Sequence, residues 1–373
     1  MGSPRVIDVE SLLAPIPGPA PNGVNIREDF SPASPYFKLR DARHAARAAE
    51  RRADTEGENS ALLPEWRTIM DLAPKVLAEK SKDLEVAVWL IEALVRSQGF
   101  AGLRDGLALS RGLVENYWDG LHSLSDEEGD VTKVAPLTGL NGQDAEGTLI
   151  QPLRKAPITK RGDEGPFAAY HYDQALALSQ ISDPGARARR EEAGGVTLER
   201  FTAAVNASGG EYYIELIGNI EESLAELDGL TQALDERAGP AAPPSSAIRN
   251  TLQTILETVR GFSKDLVNRA RPAATETATG ASSETPNGSG GNGQGSGNVM
   301  GPIRSREDAF RLLLEVADYF SKYEPHSPIS TSLQEIVRRG RLPFSELLAE
   351  LLPDTTAWRS ALTSAGIKPP NAS

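Results

Sequence analysis

The chain contains no cysteine and only four histidines among its 373 residues. The absence of cysteine excludes disulfides, thiolate metal sites and a cysteine nucleophile, and a reducing compartment is compatible with it. No two histidines stand at the spacing of metal ligands, and no carboxylates flank them in a cluster. The sequence therefore predicts neither a cofactor nor a metal site.

Long apolar runs and basic clusters are also missing. No stretch approaches the roughly 20 apolar residues of a membrane span. The proline-rich start, Met1 to Pro21, lacks the apolar run of a signal peptide. The net charge is −13, without a basic cluster to neutralise phosphates. We therefore expect a cytoplasmic protein that neither inserts directly into a membrane nor binds nucleic acid.

Apolar residues at helical spacing dominate instead, and they predict an all-α fold. Between Pro64 and Leu121 the pattern indicates three helices joined by short loops, which is typical of a helical bundle. The second of them, Lys82–Gln98, has almost no polar face, so we expect it to be a central, buried helix. Ser81 is its predicted N-cap and Gly99 its predicted end.

The segments around this bundle are less regular. The prolines and glycines between Leu12 and Asp29 predict an extended arm without helix. A mostly polar helix is predicted from Pro35 to Arg52. Residues 136–160 mix apolar and turn residues, and the pattern gives no assignment there. Further helices are predicted near residues 167–180, 198–208, 211–238 and 246–268.

From Arg271 to Met300 the sequence is rich in glycine, serine and threonine and has almost no apolar residues. Such a segment does not offset the entropy of ordering itself, so it is predicted to be a disordered tether. The run from Gly288 to Gly293 matches the glycine spacing of a dinucleotide loop. It has no strand before it and no helix after it, and we interpret it as linker.

The C-terminal residues 303–373 are again rich in apolar positions. They contain nine basic and nine acidic residues, so like-charge repulsion does not oppose their self-association. A helix starting at a capping-box-like Ser305 carries two apolar stripes, more than the marginal core of about 70 residues covers. We therefore expect neighbouring subunits to cover one stripe. The candidate oligomer-packing residues are Phe310, Leu313, Leu314 and Phe320, and shorter helices are predicted near residues 332–339, 344–352 and 355–364.

The expected organisation has four parts. They are a helical N-terminal domain (1–160), a helical middle region (161–270), a disordered linker (271–302) and an oligomerising C-terminal domain (303–373).

Two groups of residues invite a catalytic interpretation. Glu324, His326 and Ser327 stand together, but the members of a catalytic triad usually come from different elements, and two prolines indicate a connector. The carboxylates from Asp126 to Asp130 lack the register of a calcium loop. We interpret the protein as a non-enzyme. A helical hydrolase centred on Ser327 or on the acidic loop stays open as an alternative.

Two parts of the sequence resemble a known family. PIPGPAPNGVNIRED, the block from Glu65 to Leu107 and YWDGLH look like the ImpA-type N-terminal domain of TssA proteins, the tail-assembly organisers of bacterial type VI secretion systems. The most specific part is KDLEVAVWLIEAL, Lys82 to Leu94. Arg306 to Ser330, which includes REDAFRLLLEVADYF and EPHSPIS, resembles the C-terminal domain of shorter TssA proteins.

The resemblance implies a function that the composition only permits. TssA proteins act in the cytoplasm, associate with the baseplate and the growing tail, and help to coordinate polymerisation of the inner tube and the contractile sheath. Their C-terminal domains form large rings, so a homo-oligomer is implied, with tube, sheath and baseplate proteins as partners. A generic helical adaptor outside secretion is the alternative that the same composition allows.

Overall fold

In a computed structural model, residues 2–56, 63–123, 129–270, 306–323, 328–342 and 350 are described; they form thirteen α-helices and no β-sheet. The all-α prediction is confirmed. The chain divides into two compact units, Met1–Thr277 and Ala278–Ser373. The helices of the first unit are α1 (Val9–Leu13), α2 (Pro35–Glu56), α3 (Pro64–Glu79), α4 (Leu84–Tyr117), α5 (Asp130–Asn141), α6 (Ile150–Lys155), α7 (Ala169–Ser179), α8 (Pro184–Glu192), α9 (Leu198–Ser208), α10 (Gly210–Ala238) and α11 (Ser246–Ala270).

Helix α4 is a hairpin of two helical arms. Gly99 interrupts it with a φ of 58° and a ψ of −133°, a conformation that suits glycine. The chain then runs back along itself. The two arms approach so closely that a Cβ at Gly102 would lie 2.5 Å from the carbonyl oxygen of Leu94. Likewise, a Cβ at Gly106 would lie 2.6 Å from the side chain of Ile91. The first arm (residues 84–98) therefore ends at Gly99 as predicted, and the second arm (residues 100–117) packs antiparallel to it.

The α4 hairpin is the centre of the first unit. Helix α3 packs on it from one side, and α10 lies along it, with Ser223 donating a hydrogen bond to the carbonyl oxygen of Phe100 at 3.1 Å. Helix α11 in turn packs along α10. One cluster of buried apolar residues extends from Val9 to Val267. The helices of residues 161–270 therefore share their core with those of the N-terminal bundle.

The α4 hairpin contains a stretch that is long and apolar enough to cross a membrane. The stretch Leu84–Gly120 contains a window of 18 residues with the composition of a membrane span; the mean hydropathy of this window is 1.3, and 78% of it is buried inside the protein. The expectation that no stretch reaches this composition was wrong. Its burial is that of a core element, and the prediction of a buried central helix is confirmed.

One expectation for the flanking segments needs correction, and two further segments contain helices that the sequence pattern did not assign. The arm from Leu12 to Asp29 is not wholly extended, because the end of α1 and a 3-10 turn at Ile26–Glu28 lie within it. The side chains of Asp8 and Asn25 cap these two turns, which the prolines and glycines nearby obscured. Residues 136–160 contain the end of α5 and all of α6. Helix α8 has no buried residue, so its sequence shows no apolar residues repeating at helical spacing.

The described part of the second unit is a pair of helices, α12 (Arg306–Tyr323) and α13 (Ile329–Arg341). They pack antiparallel, with Ala317 and Val337 buried and the ring of Phe310 against Gly340. The capping box at Ser305, the linker, and the helices predicted at residues 344–352 and 355–364 lie outside the described residues, apart from residue 350.

Candidate functional site

The backbone that leads into α4 is held in an extended conformation. The amide of Lys82 donates to the carbonyl oxygen of Asn22 at 2.8 Å, and the carbonyl of Lys82 accepts from the amide of His122 at 3.0 Å. Because these bonds keep the chain extended, the helix begins only after Asp83, whose carboxylate accepts from the amide three residues on. The prediction of Ser81 as the N-cap was therefore wrong.

The carboxylate of Asp83 is fully buried and bound by Arg27 of the N-terminal arm. The two side chains form a bidentate pair with N–O distances of 2.5 and 3.2 Å, and Arg27 also reaches Glu85 at 2.5 Å. Burial alone lowers the pKa of Arg27, but the attraction and hydrogen bonds of Asp83, and then of Glu85, raise it above its ordinary value. The arm is thus tied to the first turn of α4 by a buried ion pair.

The side chain of Lys82 is also fully buried, and no carboxylate pairs with it in the part of the chain that the structure describes. Its Nζ donates to the carbonyl oxygens of Leu12 at 2.6 Å and Leu77 at 2.7 Å, and lies 5.6 Å from the ring centre of Tyr117. Burial lowers the pKa of Lys82 to about 8. Lys82 therefore joins α1 to the end of α3.

A second ion pair lies in the second arm of α4. Arg104 donates to the neighbouring Asp105 at 2.7 Å, and both are buried. The other oxygen of Asp105 accepts from the amides of Val6 at 2.5 Å and Ile7 at 3.3 Å. Asp105 therefore holds the first residues of the chain against the hairpin.

Arg104 extends this contact to helix α10. Its guanidinium donates to the carbonyl oxygens of Ser3 at 2.7 Å and Pro4 at 3.1 Å, and to the side chains of Asn219 and Glu222, both at 3.0 Å. A single buried arginine thus joins the N-terminal segment, α4 and α10.

The third buried carboxylate, Glu92, connects the first arm of α4 to two further segments. It accepts from both nitrogens of the Arg43 fork on α2, and from the hydroxyl of Thr148 before α6 at 2.7 Å. Each of the three buried carboxylates is therefore already bound by an arginine. Such buried pairs hold the segments that carry them in place.

Sequence reasoning did not single out Arg27, Glu92, Arg104 or Asp105. A signal existed for the last three, because they interrupt the most apolar stretch of the chain, and a charge buried there must be paired. Arg27 gave no such signal, since it lies in the arm, far in sequence from its partner.

The candidate oligomer-packing residues lie on α12. Phe310 packs on Gly340 and has the guanidinium groups of Arg306 and Arg341 5.2 and 5.6 Å from its ring centre. Val316 on the same helix is 37% exposed, and Ile336 on α13 is 54% exposed. All four candidates, Phe310, Leu313, Leu314 and Phe320, are half-buried.

The other candidates from the sequence, Glu324, His326, Ser327, the glycine run 288–293 and the acidic residues up to 128, lie outside the described residues. Among the residues that are described, no group of three or more His, Asp and Glu side chains is placed to hold a metal ion.

Comparison with known proteins identifies the first unit. The profile of the family described as "ImpA, N-terminal, type VI secretion system" matches residues 13–142. The type VI secretion system component TssA1 of Pseudomonas aeruginosa is 26% identical over 353 residues, which are 94% of this chain and 96% of that protein. The chain is thus similar to TssA proteins along almost its whole length, and residues 13–142 match the ImpA N-terminal family. These similarities support a structural or assembly role in the type VI secretion system and not the generic adaptor outside secretion.

A solved TssA structure shares the fold of the first unit. The N-terminal domain of the TssA component from Burkholderia cenocepacia, which includes the ImpA N-terminal region, superposes with a TM-score of 0.58 and 25% identity. The match covers 71% of this chain and 97% of that domain. The shared TssA fold therefore extends well beyond residues 13–142. The ion pairs at Asp83 and Glu92 lie inside the ImpA N-terminal region itself.

The lowered pKa of Lys82 gives a testable dependence of stability on pH. Between about pH 8 and 10, the unfolded chain keeps a proton on Lys82 that the folded chain has released, so stability should rise with pH. The full rise is about 3 kcal/mol, from roughly 1.4 kcal/mol per pKa unit. The measurement is urea unfolding of the natural chain and of Lys82→Met across this range.

The Lys82→Met variant should lack this rise. Burial raises the pKa of Tyr212 to about 12, so its opposing effect is confined to more alkaline solutions, above about pH 10. If both chains changed by the same amount between about pH 8 and 10, Lys82 would not be the responsible group.

Proposed function

We propose that the chain is a non-enzymatic hub of the type VI secretion tail. Its C-terminal unit closes into a large homo-oligomeric ring, and its N-terminal unit recruits partners. In the bacterial cytoplasm it associates with the baseplate and the growing tail, and it coordinates polymerisation of tube and sheath. The observation that carries the proposal is the similarity to TssA1 over 94% of the chain, because a match of that length includes both units.

Exposed apolar side chains on α12 and α13 support self-association. Val316 and Ile336 are large apolar residues that the two helices leave exposed, and a neighbouring subunit is the usual cover for such residues in an oligomer. Phe310, Leu313, Leu314 and Phe320, each half-buried, are the residues that we propose to complete the contact between subunits.

The proposed division of labour follows the expected domains. The helices of residues 1–160 and 161–270 form the recruiting part, residues 271–302 are the tether, and residues 303–373 form the ring. By random-coil scaling a tether of this length separates its ends by about 30 Å on average. A ring of such subunits engages a symmetric tail through many weak contacts, since linked sites bind with a high effective concentration.

The ring is tested by the mass of the full chain and of the isolated segment 303–373, by light scattering with negative-stain images. Both should give a large closed ring, far above the monomer mass of 39.9 kDa for the full chain. Val316→Glu should lower the mass of the full chain, because it places a charge in the contact between subunits. Asp318→Asn, at another exposed position on α12, is the matched control and should leave the mass unchanged.

A monomer or dimer of the folded full chain would contradict the ring. The partners are tested separately, by recovery of tube, sheath and baseplate components with the full chain. The absence of catalysis is tested by secretion after Ser327→Ala and His326→Ala. Loss of secretion with an intact fold would favour the hydrolase alternative.

A further inference from the structure

Helix α2 carries a stripe of basic side chains along one side. Arg40, His44, Arg47 and Arg51 follow one another at intervals of four, three and four residues, which places them on one face of a helix. The stripe spans about 16 Å at 1.5 Å per residue. We call these four residues the basic stripe. The net charge of the chain is −13, so this positive surface is local.

Arg47 is the central residue of the stripe. It is half-buried, and none of the described residues pairs with it in an ion pair or a side-chain hydrogen bond. Burial lowers its pKa; Glu92 opposes this effect, and the neighbouring positive charges of Arg43, Arg96 and Arg51 lower the pKa further. A guanidinium in such surroundings is a favourable position for an added anion.

Asp41 pairs with Arg40, at one end of the stripe, at 2.9 Å, but two other carboxylates near the stripe are bound by groups outside it. Glu92 is bound by the fork of Arg43. Glu50 accepts from Arg96 at 2.5 and 2.9 Å and from the indole of Trp66 at 2.7 Å. Glu92 and Glu50 therefore do not neutralise the rest of the stripe, and a carboxylate from outside the chain would pair with it.

We propose that the basic stripe docks an acidic, carboxylate-bearing segment of a partner protein. Guanidinium groups bind carboxylates with two parallel hydrogen bonds, and a row of them matches acidic side chains along a helix or an extended strand. The acidic remainder of the chain repels a long polyanion, which disfavours nucleic acid at this site. The proposal does not depend on the ring, because α2 lies within Met1–Thr277.

The test measures binding of a fluorescein-labelled peptide of alternating glutamate and serine to the full chain, by fluorescence anisotropy at low and at physiological salt. The natural chain should bind, more weakly at higher salt. The double variant Arg47→Gln/Arg51→Gln should bind about tenfold more weakly, since each lost pair with a carboxylate contributes up to about 1 kcal/mol. Arg51→Gln alone, at an exposed position, gives an intermediate loss without touching a half-buried residue.

The matched control is Lys38→Gln/Arg52→Gln, which removes the same charge from exposed positions outside the stripe on the same helix. This control should bind the peptide within about twofold of the natural chain, with an unchanged thermal unfolding midpoint for every variant. Equal weakening by the control would reduce the effect to net charge and overturn the proposal. So would an absence of peptide binding, tighter binding of a DNA duplex of similar charge, or displacement of the peptide by inorganic phosphate at equal charge concentration.

Discussion

Replacing Asp83 by alanine should lower the free energy of unfolding of the first unit by about 3–5 kcal/mol. The substitution leaves the guanidinium of Arg27, whose side chain is 16% exposed, with Glu85 alone, and it removes the N-cap of α4. Urea unfolding followed by tryptophan fluorescence measures the change, because Trp66, Trp89 and Trp118 are all buried in this unit.

A matched control uses an aspartate that pairs with arginine at the surface. Asp41 binds Arg40 at 2.9 Å, but its side chain is 67% exposed, so Asp41→Ala should cost less than about 0.5 kcal/mol. The double variant Arg27→Met/Asp83→Leu should recover part of the loss of Asp83→Ala, since it removes the guanidinium together with its partner; Glu85, which is 12% exposed, then loses Arg27, so the recovery is incomplete. Equal losses for Asp83→Ala and Asp41→Ala would contradict the structural role of the buried pair.

Replacing Asp105 by alanine should have an effect of similar size, about 3–5 kcal/mol, and should also release the N-terminal segment. Arg104 then keeps only the partly exposed Glu222 as a counter-ion, and the amides of Val6 and Ile7 lose their acceptor. Hydrogen exchange measures the second effect directly, as faster exchange in residues 2–13 than in α3.

Arg5 provides the control for this site. It lies 3.5 Å from Asp105, but its side chain is 52% exposed and Asp105 is already bound by Arg104. Arg5→Ala should therefore change the unfolding free energy by less than about 1 kcal/mol and leave exchange in the segment unchanged. If Asp105→Ala left the segment fully protected, the contact with Asp105 would not be what holds it.

The helices of the bundle were predictable because their buried faces place apolar residues at helical spacing in the sequence. The two apolar arms on either side of Gly99 and the span of α9, residues 198–208, follow from that spacing alone. Helix α8 was not predictable in this way, since it buries nothing. The start of α4 was misplaced because Ser81 and Asp83 are both good capping residues. The choice between them is made by backbone bonds from Asn22 and His122, which are distant in sequence.

The buried ion pairs were not predictable as pairs. A charged residue inside an apolar helix, such as Glu92 or Asp105, indicates that an oppositely charged partner exists. It does not indicate which residue the partner is. Arg27 and Asp83 are 56 residues apart, and Arg104 and Glu222 are 118 apart. Only the folded chain brings these side chains together. The composition of the basic stripe was visible in the sequence as an arginine- and alanine-rich run, but which of its arginines are paired with carboxylates was not.

The turn at Gly99 also limits the length of each apolar helical rod. A straight helix of 34 residues would be about 51 Å long, and its most apolar part would cross a bilayer core of about 30 Å. Folded back at Gly99, the same residues form two rods of roughly 22 and 27 Å. Neither rod is long enough alone, and each hides its apolar side against the other. One glycine thus folds a stretch with the composition of a membrane span into a hairpin whose arms are each shorter than a bilayer core.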